Sequence, residues 1–305
     1  MKILVALPDH PYYLWQMLVQ INNFRKFGYE QDTIYVIGKR NMQRSSILKD
    51  LIKNGKLKST FYILEDDRKD LSYSPSLTAN VLKKFFSMYP NAQDEKFFYV
   101  DPDVIFTKKM KFNGLDSNDT WYLSDTKSYL GVNYIKGKSE KLFQEMCDIV
   151  GIDPKIVEEN DKNAGGAQLF LKNTTPEFWE KVETDSIKLH THMKKTANVY
   201  TPKAPIQAWT SEMWALLWNA WLSGHKTKII KRFNFTWATD PIEKWDSTSI
   251  YHNAGAVADD GSYFLKTKYQ TSPFNEKIKC GKKYCSYNYL KEIKETEKNF
   301  KNILF

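Results

Sequence analysis

The chain has 305 residues, 42% of them hydrophobic and 15% aromatic, ample for a real core in one large α/β domain or two small ones. No apolar run reaches 18 residues, so no transmembrane helix is expected. The net charge of +9 is uneven: positions 266–305 hold ten lysines against four glutamates, which reads either as a solubilising face or as the footprint of a polyanion such as DNA or an anionic membrane.

Lys2–Leu7 reads as a first buried strand, too short for a signal peptide, ending at Pro8-Asp9-His10-Pro11. A helix with Leu14, Met17, Leu18, Ile21 and Phe24 on one side follows, and Gly28 stops it. Thr33–Ile37 is expected as a strand broken by Gly38, residues 44–55 as a helix, and Thr60–Leu64 as a strand running into Glu65-Asp66-Asp67. Ser74-Pro75 opens a helix through Leu77, Val81, Phe85 and Met88. Strand and helix alternating over a hundred residues predict an open parallel α/β sheet. No Gly-x-Gly-x-x-Gly and no Gly-Lys-Ser/Thr loop follows the first strand, which excludes the usual dinucleotide and P-loop readings.

The next stretch, Phe97-Phe98-Tyr99-Val100-Asp101-Pro102-Asp103-Val104-Ile105-Phe106, carries the chemistry. A continuous apolar run predicts a strand buried on both faces, of the parallel type. Pro102, which cannot donate to a ladder, predicts a turn at its carboxyl end. Asp101 and Asp103 would then stand at the sheet edge where open α/β sheets bind ligands. Two hard carboxylates at i and i+2 suit Mg²⁺ or Mn²⁺, and such a cation suits a diphosphate. The plainer alternative is a solvated turn.

Beyond it, Thr120–Ser124 reads as a strand, Ser139–Val150 as a helix, and residues 163–171 as a glycine turn feeding an apolar strand, where the backbone could approach a ligand closely. Residues 177–192 read as a helix. Trp209-Thr210-Ser211-Glu212-Met213-Trp214 opens another, capped by Thr210 or Ser211, with Glu212 in its first turn and Trp214, Leu217, Trp218 and Trp221 as core. Tyr251-His252-Asn253-Ala254-Gly255 precedes the lysine-rich segment. Cys147, Cys280 and Cys285 fall short of the four ligands that zinc needs and read as reduced thiols of a cytoplasmic protein.

In order, an Asp-x-Asp after an apolar strand, a Gly-Gly pair before a strand, a Trp-x-Ser-Glu helix start and a late Tyr-His-x-x-Gly resemble nucleotide-sugar glycosyltransferases of the GT-A fold. The wording around them is similar to hydroxyproline O-arabinosyltransferases and peptidyl serine galactosyltransferases; the resemblance to DNA arabinosyltransferases of T4-like phages is one of analogy and basic charge, not of motif. The resemblance covers most of residues 1–255, and its specific parts are the Asp-x-Asp strand and Ser-Glu-Met. It implies a Rossmann-like open mixed sheet flanked by helices: one GT-A domain over 1–265, with a nucleotide-sugar half at 1–110 and an acceptor half at 111–265, then a basic extension at 266–305.

It also implies roles. Asp103 would ligate Mn²⁺ or Mg²⁺; Asp101 would touch the metal or the donor ribose; His252 would be the third ligand, or else a structural histidine. Lys266 or Lys268 would neutralise the diphosphate of a UDP-sugar. Pro8, Asp9, His10, Gly38 and Lys39 would surround the uridine, and Gly165, Gly166 and Gln168 the sugar and acceptor. Glu212 would act as the carboxylate of the transfer step, or merely as a helix-start glutamate, with Asp125 and Asp240 in reserve. The implied activity is transfer of a sugar, a pentose such as arabinose, to a hydroxyl, with hydroxymethylated cytosine in phage DNA as the favoured acceptor. A surface polysaccharide or protein acceptor, a non-catalytic DNA-binding protein and a metal-dependent nucleotidyltransferase are the rival readings.

Overall fold

The structure is a computed structural model that describes residues 1–42, 47–54, 57–115, 119–201, 203–258 and 260–301. Its strands, in chain order, are β1 (Lys2–Pro8), β2 (Thr33–Lys39), β3 (Thr60–Glu65), β4 (Lys96–Tyr99), β5 (Val104–Phe106), β6 (Thr120–Asp125), β7 (Gly165–Lys172), β8 (Lys226–Ile229), β9 (Phe235–Trp237) and β10 (Ile250–His252). Its helices are α1 (Pro11–Phe27), α2 (Ile47–Asn54), α3 (Ser76–Met88), α4 (Lys127–Leu130), α5 (Val132–Lys136), α6 (Glu140–Val150), α7 (Pro154–Asn160), α8 (Pro176–Tyr200), α9 (Ser211–Leu222) and α10 (Cys285–Asn299). Of the helix expected over 44–55, residues 44–46 and 55 lie outside the described residues.

The chain forms two compact units. The first unit holds Leu64–Tyr99 and Gly114–Lys231. In it β4 and β6 flank β7, both antiparallel to it, and β6 continues to β8 in parallel. The apolar run at β4 is buried as expected, but its partner in this unit, β7, runs antiparallel to it and not parallel. Phe97 packs edge-on against Phe85 and Phe86 of α3, and Phe86 stacks on Trp179 of α8. Trp179, Trp214 and Trp218 are fully buried.

Gly165 and Gly166 are not a turn; they begin β7. A Cβ on Gly165 would meet Ser124 O at 2.5 Å and Leu123 Cβ at 2.8 Å, and one on Gly166 would meet Met213 Cε at 2.9 Å. The pair lets β6 and α9 close on the strand. The register shifts opposite it, between Leu123 and Ser124, and Ala167 takes a left-handed φ of 59°.

The second unit holds Lys2–Ile63, Val100–Asn113 and Arg232–Phe305. β1 and β2 pair in parallel from Ile3↔Thr33 to Pro8↔Gly38, so their carboxyl ends lie side by side. Gly38 does not break β2 as expected; it is a paired strand residue. α1 starts at Pro11 with His10 as its cap and ends on left-handed Gly28 at φ 82°. A three-stranded sheet, β5-β10-β9, sets His252 between Val104 and Trp237. One apolar cluster, including Trp15 of α1, Ile105, Tyr251 and Phe264, joins Cys285, Tyr289 and Ile293 of α10. The three cysteines are unbridged. No helix among the described residues is long and apolar enough to cross a membrane.

Candidate metal centre

The Asp-Pro-Asp segment is a tight turn. Val104 N–H donates back to Asp101 O at 3.2 Å, and Val100 N–H donates to Leu4 O of β1 at 3.1 Å. Pro102 needs no ladder partner here, so it fits where the strand stops. The turn is braced by polar side chains on the buried face of α1. Gln20 Nε2 donates to Asp101 O at 2.8 Å and to Val104 O at 2.7 Å. Asn23, one helical turn on, donates to Phe106 O and accepts from Phe106 N–H. Tyr35 of β2 donates its hydroxyl to Gln20 Oε1 at 3.0 Å. Buried carbonyls at a chain reversal are costly to leave unpaired, and these contacts satisfy them.

Asp103 is 4% exposed, whereas the Asp101 side chain is 49% exposed. His252 Nε2 lies 3.3 Å from Asp103 Oδ1 and 3.6 Å from Asp101 Oδ2. Its ring stacks on Trp237, centroids 5.7 Å apart and planes at 17°. Lys266 forms an ion pair with Asp103 Oδ2. Asn253 N–H donates to Asp103 O at 3.1 Å, and Tyr251 donates its hydroxyl to Asn253 Oδ1 at 2.9 Å.

Charge is unevenly shared. Burial alone would raise the Asp103 carboxyl, but Lys266 and then His252 outweigh it and hold it well below the usual range. Asp101 is pushed up, first by loss of hydration and then by the neighbouring Asp103 charge, against the pull of His252. Burial opposes a charge on His252, yet Asp103 and Asp101 raise its pKa overall. Lys266 behaves likewise: dehydration works against its charge and Asp103 prevails.

One ligand atom each from Asp101, Asp103 and His252 lies within 4.8 Å of the other two. Two carboxylates and an imidazole are a fitting donor set for a divalent cation. The buried Nδ2 of Asn253, next to His252, has no hydrogen-bond partner among the described residues, which also fits a site built to meet a polar group.

The second unit also carries the other donor-side candidates. Pro8 ends β1 and Asp9 and His10 follow it, and Gly38 and Lys39 end β2. Lys39 Nζ lies 3.8 Å from Asp9 Oδ2, both side chains largely buried, and Asp9 N–H donates to Gly38 O at 2.7 Å. His10 is spent on capping α1, where its Nδ1 accepts from Tyr12 N–H. Lys268 is exposed, two positions past Lys266. Asp240 is engaged by Lys244 and by Trp237 N–H.

Asp125, Gly165, Gly166, Gln168 and Glu212 belong to the first unit. Asp125 is exposed at the end of β6 and accepts from Lys127 N–H, while Gln168 is fully buried in β7. Glu212 lies in the first turn of α9, as expected. Thr210 stands at the N-cap of that helix, but neither its side chain nor that of Ser211 makes a capping bond: their hydroxyls donate back to Gln207 O and Ala208 O. Gln20, Asn23, Tyr35 and Trp237 escaped the sequence reading. The amide residues of α1 are spaced i and i+3 on a face that also carries Met17 and Phe24, and that spacing was the available signal.

The sequence matches no protein-family model. It matches no curated protein either. By structure the chain is similar to the bifunctional glycosyltransferase WbbM, at 10% identity and a TM-score of 0.50, over 98% of this chain and 51% of that one. It thus spans about half the length of that protein. It is also similar to the galactosyltransferase LgtC in complex with donor and acceptor sugar analogues, at 12% identity and a TM-score of 0.49 over 97% and 96% of the two chains. A third similar structure is the glycosyltransferase GlyE of Streptococcus pneumoniae, at 10% identity and a TM-score of 0.47 over 99% and 64%. At such identities the likeness to WbbM shows the fold alone, and that fold is the GT-A α/β fold expected from the sequence.

Proposed function

We propose that the chain is a metal-dependent glycosyltransferase that moves a sugar from a UDP-sugar to a hydroxyl acceptor. The observation that carries this reading is the meeting of Asp101, Asp103 and His252, with Lys266 paired to Asp103. The shared GT-A fold supports it. Cleaving a sugar–phosphate bond leaves negative charge on the departing diphosphate. A divalent cation, Mn²⁺ or Mg²⁺, held by Asp101, Asp103 and His252 supplies Lewis-acid stabilisation of that charge. Lys266, with Lys268 near it in sequence, adds fixed positive charge. Asp9 and Lys39, with Pro8, His10 and Gly38, receive the nucleoside. Gly165, Gly166 and Gln168 serve the sugar and acceptor side. Glu212 steadies the cationic sugar carbon or takes the acceptor's proton, with Asp125 as the second candidate.

The acceptor in this proposal is a hydroxymethylated cytosine of double-stranded DNA, and the sugar is a pentose such as arabinose. The excess of +6 within 266–305 supports a polyanionic acceptor. The domain division at 110 and 265 and a cytoplasmic location, as for a phage product acting in its host, belong to the same reading. The test is UDP release from a panel of UDP-sugars with Mn²⁺, with and without duplex DNA containing 5-hydroxymethylcytosine. Release stimulated by that DNA, with a pentose mass added to the base, is the expected result. Release indifferent to DNA would keep the transferase and move the acceptor to a surface glycan or protein. No release from any donor would sink the enzyme reading.

A further inference from the structure

The start of α9 is held from outside the helix. The first N–H groups of a helix lack intrahelical acceptors, and a side chain at the cap usually serves them. Here Thr210 and Ser211 turn their hydroxyls away, and Glu212 N–H donates instead to the hydroxyl of Tyr73 at 2.9 Å, 139 positions distant in sequence. The same hydroxyl donates to Trp209 O at 2.6 Å. Tyr73 is itself 1% exposed, and its ring stacks on His190 of α8 with centroids 4.5 Å apart. It also meets the Trp209 ring edge-on at 6.1 Å. Yet Trp209 is 64% exposed. A buried, doubly bonded phenol therefore pins a turn in which Trp209 is exposed and Glu212 half-buried.

We propose that Tyr73 is a positioning residue for Glu212: its hydroxyl fixes the backbone that aims the carboxylate. This rests on the reading of Glu212 as the carboxylate of sugar transfer. Packing alone does not require the hydroxyl, because phenylalanine would make the same stack on His190. What the oxygen adds is a bridge between Trp209 O and Glu212 N–H, which sets the first turn of α9 against the segment before α3. Small displacements of a reacting group are expensive in rate and cheap in stability.

The experiment compares Tyr73→Phe, Glu212→Gln and the double variant of the full chain. It reads UDP release from UDP-galactose, UDP-glucose, UDP-xylose and UDP-arabinose with Mn²⁺, amide exchange at Glu212, and thermal unfolding. Tyr73→Phe is expected to lower kcat about ten- to hundredfold with donor KM unchanged, and to speed exchange of the Glu212 amide. The double variant should be no slower than Glu212→Gln, since a residue acting through another adds nothing once that one is gone. Wild-type kcat in Tyr73→Phe beside an inactive Glu212→Gln would overturn the positioning role and keep Glu212. A loss of kcat no larger than the loss of folded protein would overturn it as well. Wild-type kcat in Glu212→Gln would overturn the Glu212 reading itself. No release by the wild type from any of the four donors would overturn the transferase reading and this assignment with it.

Discussion

The candidate metal centre in the second unit and the glycine strand in the first both rest on residues that the sequence marks as candidates, but they use them differently. Around Asp103 the short-range environment is polar: Gln20, Asn23 and Asn253 hold backbone groups, and Lys266 and His252 answer the carboxylate. Around Gly165 and Gly166 it is steric, with Ser124, Leu123 and Met213 filling the space a side chain would need. Polar scaffolding separates function from folding, since a ligand can be removed while the brace remains. Steric closeness does not, since any added atom is felt by the core.

That contrast is sharpest at Asp103. Asp103→Ala is expected to weaken Mn²⁺ binding by more than a hundredfold, beyond what partners behind a ligand contribute, while the fold survives on the Gln20 and Asn23 contacts. Titration calorimetry with Mn²⁺ and UDP, beside a circular dichroism melt, checks both halves. An unchanged affinity would remove Asp103 from the metal site; an unfolded protein would show that the brace does not stand alone.

Gln20→Ala tests the brace itself. It removes the amide donor from Val104 O and leaves Asp101 O with the Val104 N–H bond, at about 1–3 kcal/mol of stability. Loosening the turn should also cost ten- to hundredfold in Mn²⁺ affinity, by analogy with the partners that orient metal ligands. If stability falls and affinity does not, Gln20 supports the fold without shaping the site. Gly165→Ala is the steric counterpart: a Cβ 2.5 Å from Ser124 O should cost about 1–3 kcal/mol by urea denaturation, with Mn²⁺ affinity unchanged. A neutral Gly165→Ala would mean that the glycine was there for something other than strand packing.

The same contrast explains what could be read from the chain in advance. The Asp-Pro-Asp turn was legible because everything that makes it is local: an apolar run, a proline and two carboxylates within seven residues. The Rossmann-like alternation, the start of β1 and the end of α1 at Gly28 were legible for the same reason. Gln20 was not, because its partners lie 81 and 84 positions away, and an amide in a helix otherwise reads as a solvated face. The glycine pair showed that side chains were absent but not what approached, so the start of a strand packed against β6 and α9 read as a turn. Thr210 holds the N-cap place, but the bond to Glu212 N–H comes from Tyr73 and not from the Thr210 or Ser211 hydroxyl.

The smallest effect per residue is expected in the lysine-rich segment, where composition says least about which charges act. Glu292 and Glu295 are already engaged by Lys26 of α1, and Glu297 pairs with Lys294. Three of the four glutamates that would moderate the segment are thus tied up, and Lys283 lies over the Tyr284 ring, 5.2 Å from its centroid. Replacing Lys279, Lys282 and Lys283 with glutamine removes three positive charges and leaves the α10 core residues Cys285, Tyr289 and Ile293 untouched. If all three meet phosphates, the slope of log affinity against log salt for duplex DNA should flatten by about three, roughly one for each contact. A slope that does not move would make these lysines a solvated face, and a polyanionic acceptor would then have to be met elsewhere on the chain.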